Sequence, residues 1–286
     1  MNNLFDQSST STTGIFLKSP MNYTGSKYPL LPQLFKYFPP DREILVDLFC
    51  GGGSVFVNDP VAKKVIVNDV ISPLIEFYSI LNLSKWEDLI SDIKSRMSGM
   101  DFKNCQQDYL ALRQRYNDDK DCLDFFLLCC CCTNNMMRFN ADGGFNQTWG
   151  RRTFNESMLQ KLYLFWGKMH EQTHRYTFIS MDFENVSVFP GDFVYLDPPY
   201  AITGAGYNTT WNAERETRLH AFLDKLDHRG VRFAMSNVSM HKGVNNPHMD
   251  KLSKYNVINL KNDYAKVSRS DNLQTQEILV TNYVID

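Results

Sequence analysis

The 286-residue sequence has no apolar run of the roughly 20 residues that a membrane-spanning helix needs. Its first residues, 1–13, are polar and rich in serine and threonine, so they lack the apolar segment of a secretory signal. Its seven cysteines are an odd number, and four of them are consecutive, unlike a disulfide framework. These absences predict a reduced, cytoplasmic protein without a membrane segment.

The sequence also lacks a large excess of charge of either sign, since 30 Lys and Arg residues face 32 Asp and Glu residues. A positive field over the whole molecule is therefore excluded, and any binding to nucleic acid requires a local basic region. Residues 138–175 contain six basic against three acidic residues, and residues 261–270 contain three against one. Both segments fit either a nucleic-acid interface or a solvated surface that is balanced elsewhere.

Neither of the phosphate-binding patterns GxGxxG and GxxxxGK[ST] is present, which argues against a dinucleotide or triphosphate cradle. A glycine turn instead follows an apolar segment, in DLFCGGGS at 47–54, and Asp69 ends the next apolar segment. An acid at that place can accept hydrogen bonds from ribose hydroxyls, so the pair predicts an adenosine-like ligand. An ordinary tight turn with a helix-capping acid is the alternative.

Near-continuous apolar segments, typical of a buried parallel sheet, alternate with helical patterns along the chain. The predicted strands are 43–49, 64–69, 176–181, 192–196 and 231–236. Residues 256–260 and 277–285 are expected to form a closing antiparallel hairpin. This order predicts an α/β, doubly wound, Rossmann-like sheet.

The strand pattern is interrupted between about residues 84 and 156. Helical spacing occurs at 85–97, 105–117 and 121–132, and 133–153 has the composition of a loop or hairpin. We therefore predict a loose tail at 1–17, a catalytic domain formed by 18–83 and 157–286, and an inserted, mainly helical recognition domain at 84–156. The consecutive cysteines, 129–132, point in four directions on a helix, which favours apolar packing over a metal site.

The motif Asp197-Pro198-Pro199-Tyr200 directly follows the predicted strand 192–196. Two prolines cannot extend a strand ladder, so they form a stiff loop at the carboxyl edge of the sheet, where α/β folds bind ligands. The Asp197 carboxylate and the Pro198 carbonyl can each accept a hydrogen bond from an exocyclic amine. The Tyr200 ring can stack on the base that carries the amine, so the motif predicts catalysis on a nucleobase.

Taken in order, these motifs resemble those of the Dam-type DNA adenine-N6 methyltransferases of the α group, especially the T-even bacteriophage enzymes. The segments that carry the resemblance are MNYTGSKYPLL at 21–31, DLFCGGGS, Asn68-Asp69-Val70, NMMRFN at 135–140, GRRT at 150–153 and DPPY. The resemblance implies an S-adenosylmethionine-dependent enzyme that methylates N6 of a flipped adenine in double-stranded DNA. It also favours GATC as the recognition site.

The resemblance implies roles for three groups of residues. The expected catalytic residues are Asp197, Pro198 and Tyr200. The expected cofactor-binding residues are Tyr23, Lys27, Phe49, Gly51, Asp69, Asp182, Phe183 and Asp197. The expected DNA-binding residues are Asn135, Met136, Arg138, Asn140, Thr148, Arg151, Arg152, Tyr207, Lys266 and Arg269.

Arg138 is the expected base reader, because an arginine that donates two hydrogen bonds to guanine is the commonest specific major-groove contact. A surface ion pair is the alternative. Arg151 and Arg152 are expected to contact phosphates, which position the protein without specifying a sequence. Thr133 stands where the phage relatives have an aromatic residue, and Thr148 replaces a proline, so a site other than GATC is a second possibility.

Three other functions are compatible with parts of the sequence. Methylation of cytosine N4 uses the same fold and chemistry, but such enzymes more often have Ser where this chain has Asp197. An inactive cofactor-binding protein that regulates through DNA is a second alternative, and the intact motif at 197–200 argues against it. A structured RNA substrate is compatible with the composition. The sequence indicates no obligatory protein partner, and it leaves open whether a restriction enzyme accompanies the protein.

Overall fold

The computed structural model describes residues 16–200, 202, 211–261 and 275–285. The strands of its sheet are β1 (Ile44–Asp47), β2 (Lys64–Asn68), β3 (Tyr176–Ile179), β4 (Asp192–Leu196), β5 (Arg232–His241), β6 (Val244–Asn245), β7 (Asn256–Asn259) and β8 (Gln276–Thr281). The α-helices are α1 (Leu31–Tyr37), α2 (Ser54–Asn58), α3 (Ser72–Leu83), α4 (Trp86–Met97), α5 (Gln106–Asp119), α6 (Cys122–Cys131), α7 (Glu156–His170), α8 (Ala213–His228) and α9 (Met249–Leu252).

The strand order is β3-β2-β1-β4-β5-β8-β7, with β6 paired to β5. Strand β1 pairs in parallel with both β2 and β4, so the chain order reverses between β1 and β4. In doubly wound sheets the carboxyl ends of the strands open a crevice at this switch point, where ligands bind. The predicted α/β, Rossmann-like fold is confirmed, and the crevice receives the glycine turn after β1 and the DPPY motif after β4.

The predicted strands and the closing hairpin are all present, although some ends differ. Strand β8 pairs antiparallel with both β5 and β7. Strand β5 extends to His241, beyond the predicted end at residue 236. Its extra residues pair with β8, across an irregularity between Val238 and Met240. The extension is partly exposed, so it lacks the apolar pattern by which buried strands are predicted.

Alternate side chains of the central strands enter two separate hydrophobic clusters. On β1, Leu45 packs in the cluster that includes side chains of α1, α2, α3 and α7, whereas Val46 packs in the cluster with α8. Phe193 and Val194 of β4 divide between the two clusters in the same way. Successive side chains of a strand point to opposite faces, so the near-continuous apolar runs are explained by helices on both sides of the sheet.

Helices α4, α5 and α6 follow α3 in the segment predicted to be inserted, and their helical character is confirmed. Helix α6 is buried along its length, and Asp121 caps its start by accepting hydrogen bonds from the Leu123 and Asp124 amides. Phe126 of α6 stacks on Phe77 of α3 with ring centroids 4.5 Å apart. The segment therefore shares a core with the main body, and its separate standing as a recognition domain stays a prediction.

The four consecutive cysteines, 129–132, are buried, as expected for apolar packing of this helix. Burial raises the pKa of each of their thiols, which keeps them in the neutral form. Across the described ranges, no group of three or more His, Cys, Asp or Glu side chains is arranged to hold a metal ion. Within the same ranges, no helix has the length and apolar character needed to cross a membrane.

Candidate active site

The glycine turn after β1 is tightly covered by Tyr23. Gly51 and Gly53 have φ angles of 45° and 78°, in the left-handed region that favours glycine. A Cβ atom added at Gly52 would lie 2.6 Å from Cβ of Tyr23, closer than carbon atoms can approach. The predicted turn is therefore confirmed, and its glycines are required both by the backbone angles and by the close approach of Tyr23.

Asp69, just after β2, is tied to this turn. Its Oδ2 accepts a hydrogen bond from the Gly51 amide at 3.0 Å, and its Oδ1 accepts one from the Ile71 amide at 3.1 Å. Burial raises the pKa of Asp69, although these amide hydrogen bonds oppose the effect. A carboxylate has about four lone-pair positions, so Asp69 keeps acceptor capacity toward the crevice.

The DPPY motif places Asp197 in a small charged cluster. Lys27 Nζ lies 2.9 Å from Asp197 Oδ2, and the Tyr200 hydroxyl donates a hydrogen bond to Asp197 Oδ1 at 3.1 Å. Burial raises the pKa of Asp197, and the neighbouring Lys27 charge and the two hydrogen bonds oppose this effect. Lys27 Nζ also lies 5.1 Å from the centre of the Tyr200 ring. Lys27, which is predicted to contact the cofactor, is thus paired with Asp197, the predicted catalytic carboxylate.

Asp47, the last residue of β1, is a site residue to which the sequence analysis assigned no role. Its Oδ2 accepts a hydrogen bond from the Phe56 amide at 3.1 Å. Its Oδ1 is buried and has no hydrogen-bond partner within the described part of the chain. Burial first, and then the negative charges of Asp197, Asp69 and Asp59, raise the pKa of Asp47 well above its ordinary value. The sequence did contain a signal for this role, because Asp47 is an acid at the end of an otherwise apolar strand.

The adenine-binding positions predicted from the resemblance, Phe49, Asp182 and Phe183, line the same cavity as the glycine turn. The Phe49 ring is 5.5 Å from the Phe183 ring and 5.9 Å from the Trp211 ring, measured between centroids. Asp182 accepts a hydrogen bond from the Glu184 amide and lies 3.5 Å from an Arg215 guanidinium nitrogen. These aromatic rings form an apolar wall that can pack against a purine.

A single cavity of about 820 Å³ joins these groups and extends to the loop after α6. The predicted site residues that line it are Tyr23, Lys27, Phe49, Gly51, Asp69, Arg138, Asn140, Asp182, Phe183, Asp197, Pro198 and Tyr200. Its volume lies within the range of about 300–1,000 Å³ typical of small-molecule sites, toward the upper end. The cavity thus connects the expected cofactor positions with part of the expected DNA-reading loop.

The loop between α6 and α7 contains a short hairpin with Arg138 at its base. Phe139 and Phe145 form an antiparallel bridge, and the Asn146 amide donates to the Arg138 carbonyl. At the tip, the Asn140 side chain accepts a hydrogen bond from the Gly144 amide. Arg138 is exposed and lines the cavity. The predicted loop or hairpin is confirmed, and it presents Arg138 beside the cavity.

Two other predicted DNA contacts are held together within the loop. Asn135 is buried, its Nδ2 donates to the Cys129 carbonyl at 2.9 Å, and its Oδ1 accepts from Arg152 at 2.6 Å. The structure therefore does not bring the Asn135 side chain to the surface. Sequence reasoning could not reveal this, because a polar loop residue gives no sign of whether it faces solvent or caps its own loop.

The remaining predicted DNA contacts are spread over the outer part of the same loop. The Arg151 guanidinium lies 5.3 Å from the centre of the Trp149 ring, and Met136 is half-buried. The hydroxyls of Thr133 and Thr148, the two residues that depart from the family pattern, hydrogen-bond each other at 3.0 Å. The other predictions, for Tyr207, Lys266 and Arg269, lie outside the described residues.

A doubly wound sheet with a glycine turn, a buried acid after β2 and a DPPY motif at its switch point has the features of Rossmann-like amino-methyltransferases. The chain belongs to the family described as D12 class N6 adenine-specific DNA methyltransferase, whose sequence model matches residues 23–267. The resemblance to adenine-N6 methyltransferases is therefore confirmed, and the preference for GATC stays a prediction.

The relatives of this chain include modification methylases and DNA adenine methylases. It is 35% identical to "Type II methyltransferase M.FokI" of Planomicrobium okeanokoites, over 95% of this chain and 44% of that protein. It is 34% identical to "Modification methylase StsI" of Streptococcus sanguinis, over 96% and 44%, and 28% identical to "DNA adenine methylase" of Escherichia coli K12, over 76% and 79%. The chain therefore spans less than half the length of the two modification methylases.

Proposed function

We propose that this chain is a site-specific DNA methyltransferase that transfers a methyl group from S-adenosylmethionine to N6 of adenine in double-stranded DNA. The observation that carries the proposal is the single cavity in which Asp197, Pro198 and Tyr200 face the glycine turn and Asp69. Family membership favours adenine over cytosine. Its modification-methylase relatives support a role in restriction–modification, and its work on DNA is consistent with the predicted cytoplasmic location.

The residues of the cavity fit S-adenosylmethionine. The unpartnered Oδ1 of Asp47 suits the cofactor's ammonium group, and Asp69 has acceptor capacity for the ribose hydroxyls. Tyr23 and Lys27 would cover the methionine end. The remaining predicted cofactor residues, which would line the methionyl and adenine parts, are Phe49, Gly51, Asp182, Phe183 and Asp197. When bound, the cofactor supplies an electrophilic methyl group beside the DPPY motif.

The DPPY motif would activate the amine of the target base. The adenine N6 lone pair is delocalised into the ring, and hydrogen bonds from its two N–H groups to the Asp197 carboxylate and the Pro198 carbonyl would localise it. The same oxygens would stabilise the positive charge that develops on nitrogen, as a reversed oxyanion hole. Tyr200 would stack on the extruded base and fix its alignment.

DNA would bind where the cavity meets the loop between α6 and α7. An adenine inside a duplex is out of reach, so the base must leave the stack and enter the cavity. We assign base reading to Arg138, with Asn140 and Met136 near it, and phosphate contacts to Arg151 and Arg152, within a recognition region at 84–156. GATC is the favoured recognition sequence. If the chain recognises a different sequence, we expect the difference to arise from Thr133 and Thr148, whose hydroxyls hydrogen-bond each other.

The proposal is tested by mapping N6-methyladenine on plasmid DNA from methylase-deficient cells that express the chain. We expect methylation at one short motif, and the motif itself gives the specificity. The matched control is Asp197→Ala, which removes the acceptor without touching the glycine turn. It should still bind S-adenosylmethionine, which Asp47, Asp69 and the other lining residues would hold, and lose about 10²-fold or more in rate. Unmodified DNA from cells with a folded, cofactor-binding wild-type chain would contradict the proposal.

A further inference from the structure

Glu277, near the start of β8, shares the Tyr200 hydroxyl with Asp197. The Tyr200 oxygen is 3.1 Å from Asp197 Oδ1 and 3.3 Å from Glu277 Oε2. Glu277 lies in the antiparallel part of the sheet, on the strand between β5 and β7, and the sheet order brings it near the DPPY motif although the two are far apart in sequence. Sequence reasoning therefore had no signal that this acid belongs to the site.

The pairing of Asp197 presents a difficulty for the proposed chemistry. Both of its oxygens already have partners, with Lys27 at Oδ2 and Tyr200 at Oδ1. The Lys27 ammonium compensates the negative charge of the carboxylate and so weakens it as an acceptor for the target amine. Each oxygen keeps a second lone pair, but activation of the amine would be stronger if another group took over Lys27 and Tyr200.

We propose that Glu277 is a positioning residue that receives the Tyr200 hydroxyl and the Lys27 ammonium when Asp197 accepts the amine of the target base. This inference rests on the proposed function of the site. The tyrosine hydroxyl has one proton to donate, and its two acceptors are at similar distances, so the proton can turn from Asp197 to Glu277 without movement of the ring. Lys27 has three N–H donors, and its Nζ lies 2.9 Å from Asp197 Oδ2 and 5.1 Å from the centre of the Tyr200 ring.

The charges around the cluster agree with this exchange. Burial raises the pKa of Glu277, the positive charge of Lys27 lowers it, and the negative charge of Asp197 raises it. Lys27 thus acts on both carboxyl groups, and the negative charge of Asp197 disfavours ionisation of Glu277. The charged and titratable groups that act on Asp197 or Glu277 are Lys27 and Tyr200, and the charges of Asp197 and Glu277 in turn raise the pKa of neighbouring groups, Asp197 that of Asp47 and both that of Tyr195.

The test compares Glu277→Gln and Glu277→Ala with wild type in single-turnover methylation of a duplex that carries the mapped site. Gln can still accept from Tyr200 but cannot compensate the Lys27 charge, and Ala can do neither. We expect both variants to lose about tenfold or more in the single-turnover rate constant. Their dissociation constants for S-adenosylmethionine should stay within about threefold of wild type. The control is Glu43→Gln, which removes an exposed carboxylate at the opposite end of β1.

The pH dependence separates a charge effect from a merely structural one. The proposed arrangement needs ionised Glu277, whose pKa is raised by burial, so Glu277→Gln removes this ionisation from the acid limb of the rate profile, and the limb should move to lower pH. A Gln variant with the wild-type rate and an unmoved acid limb would overturn this inference while the proposed function stands. A folded wild-type chain that methylates no adenine would overturn both.

Discussion

At the scale of single residues, Asp47 shows what burial does to an acid at the end of a central strand. Its folded environment raises its pKa, through burial and through three neighbouring negative charges. Because the pKa of Asp47 is higher in the folded than in the unfolded protein, its contribution to stability is fully present below the unfolded-state pKa. That contribution is lost as the pH rises through the folded-state pKa. At neutral pH, the acid is therefore a source of instability that the cofactor's ammonium group would relieve.

We expect Asp47→Asn to become progressively more stable than wild type as the pH rises above about 4, the ordinary pKa of Asp. Asn keeps an acceptor for the Phe56 amide and has no proton to lose. Urea unfolding of the cofactor-free proteins at about pH 5 and about pH 8 measures the difference, and each pKa unit between the folded and unfolded states is worth about 1.4 kcal/mol.

The control for this measurement is Glu87→Gln, which alters an exposed acid in the first turn of α4. It should leave the difference between the two pH values as it is in wild type. An Asp47→Asn variant that loses stability relative to wild type at the higher pH would show that the buried carboxyl is not strained by its charge. The same variant should bind S-adenosylmethionine more weakly, because it lacks the carboxylate for the cofactor's ammonium group. Its gain in stability would therefore reduce function.

At the scale of elements, the sequence predicts strands and helices well where one physical signal dominates. Strand β4 has the predicted ends. It is a buried central strand, and every residue after its first, Asp192, is apolar. The extended half of β5 was missed because its pairing with β8 is a tertiary contact. Helix α6 was recognised, but the packing of Phe126 on α3 was not, since periodicity does not say which surfaces meet.

The hairpin after α6 yields a prediction that separates base reading from phosphate binding. Arg138→Ala should relax discrimination at one base pair, with a cost of about 1–3 kcal/mol at that position. Arg151→Ala should weaken binding to all sequences alike and reduce the slope of log affinity against log salt by about 1. Binding titrations on a set of duplexes with single substitutions, at several salt concentrations, provide both readouts.

Arg152 is unsuitable as the phosphate control because it donates to the buried Asn135. Its removal would leave an amide oxygen unpaired and disturb the loop that presents Arg138. Arg151 packs only its guanidinium against the Trp149 ring among its described contacts, so its loss disturbs less. Uniform weakening by both Arg138→Ala and Arg151→Ala would remove Arg138 from the role of base reader.

At the scale of the whole molecule, the topology assembles a site whose members are far apart in sequence. The glycine turn, Asp69 and Asp197 could be predicted because each follows a recognisable strand in an α/β fold. The Lys27–Asp197 ion pair and the approach of Glu277 could not be predicted, because they depend on where the loop that contains Lys27 and the antiparallel strand β8 lie relative to the DPPY motif. The result is a cavity in which burial raises the pKa of several carboxyl groups.

This concentration of acids predicts that binding of the cationic cofactor is linked to pH. S-adenosylmethionine and S-adenosylhomocysteine share every charged group except the sulfonium, which only the former has. As the pH rises above about 4, the ordinary pKa of Asp, more of the raised-pKa carboxyl groups ionise, and attraction for the sulfonium grows. The thermal stabilisation by S-adenosylmethionine should therefore increase over this range more than that by S-adenosylhomocysteine.

Thermal unfolding with each ligand measures this difference in the intact chain. A ligand at about 100 times its dissociation constant contributes about 2.7 kcal/mol, and each kcal/mol raises Tm by about 2–4 °C in a chain of this size. Asp69→Asn should reduce the shift for both ligands, because both have the ribose that Asp69 is expected to hold, whereas Glu87→Gln should keep the wild-type shifts. Equal pH dependence for the two ligands would mean that the buried acids do not sense the sulfonium. Full shifts in Asp69→Asn would place the nucleoside elsewhere in the cavity.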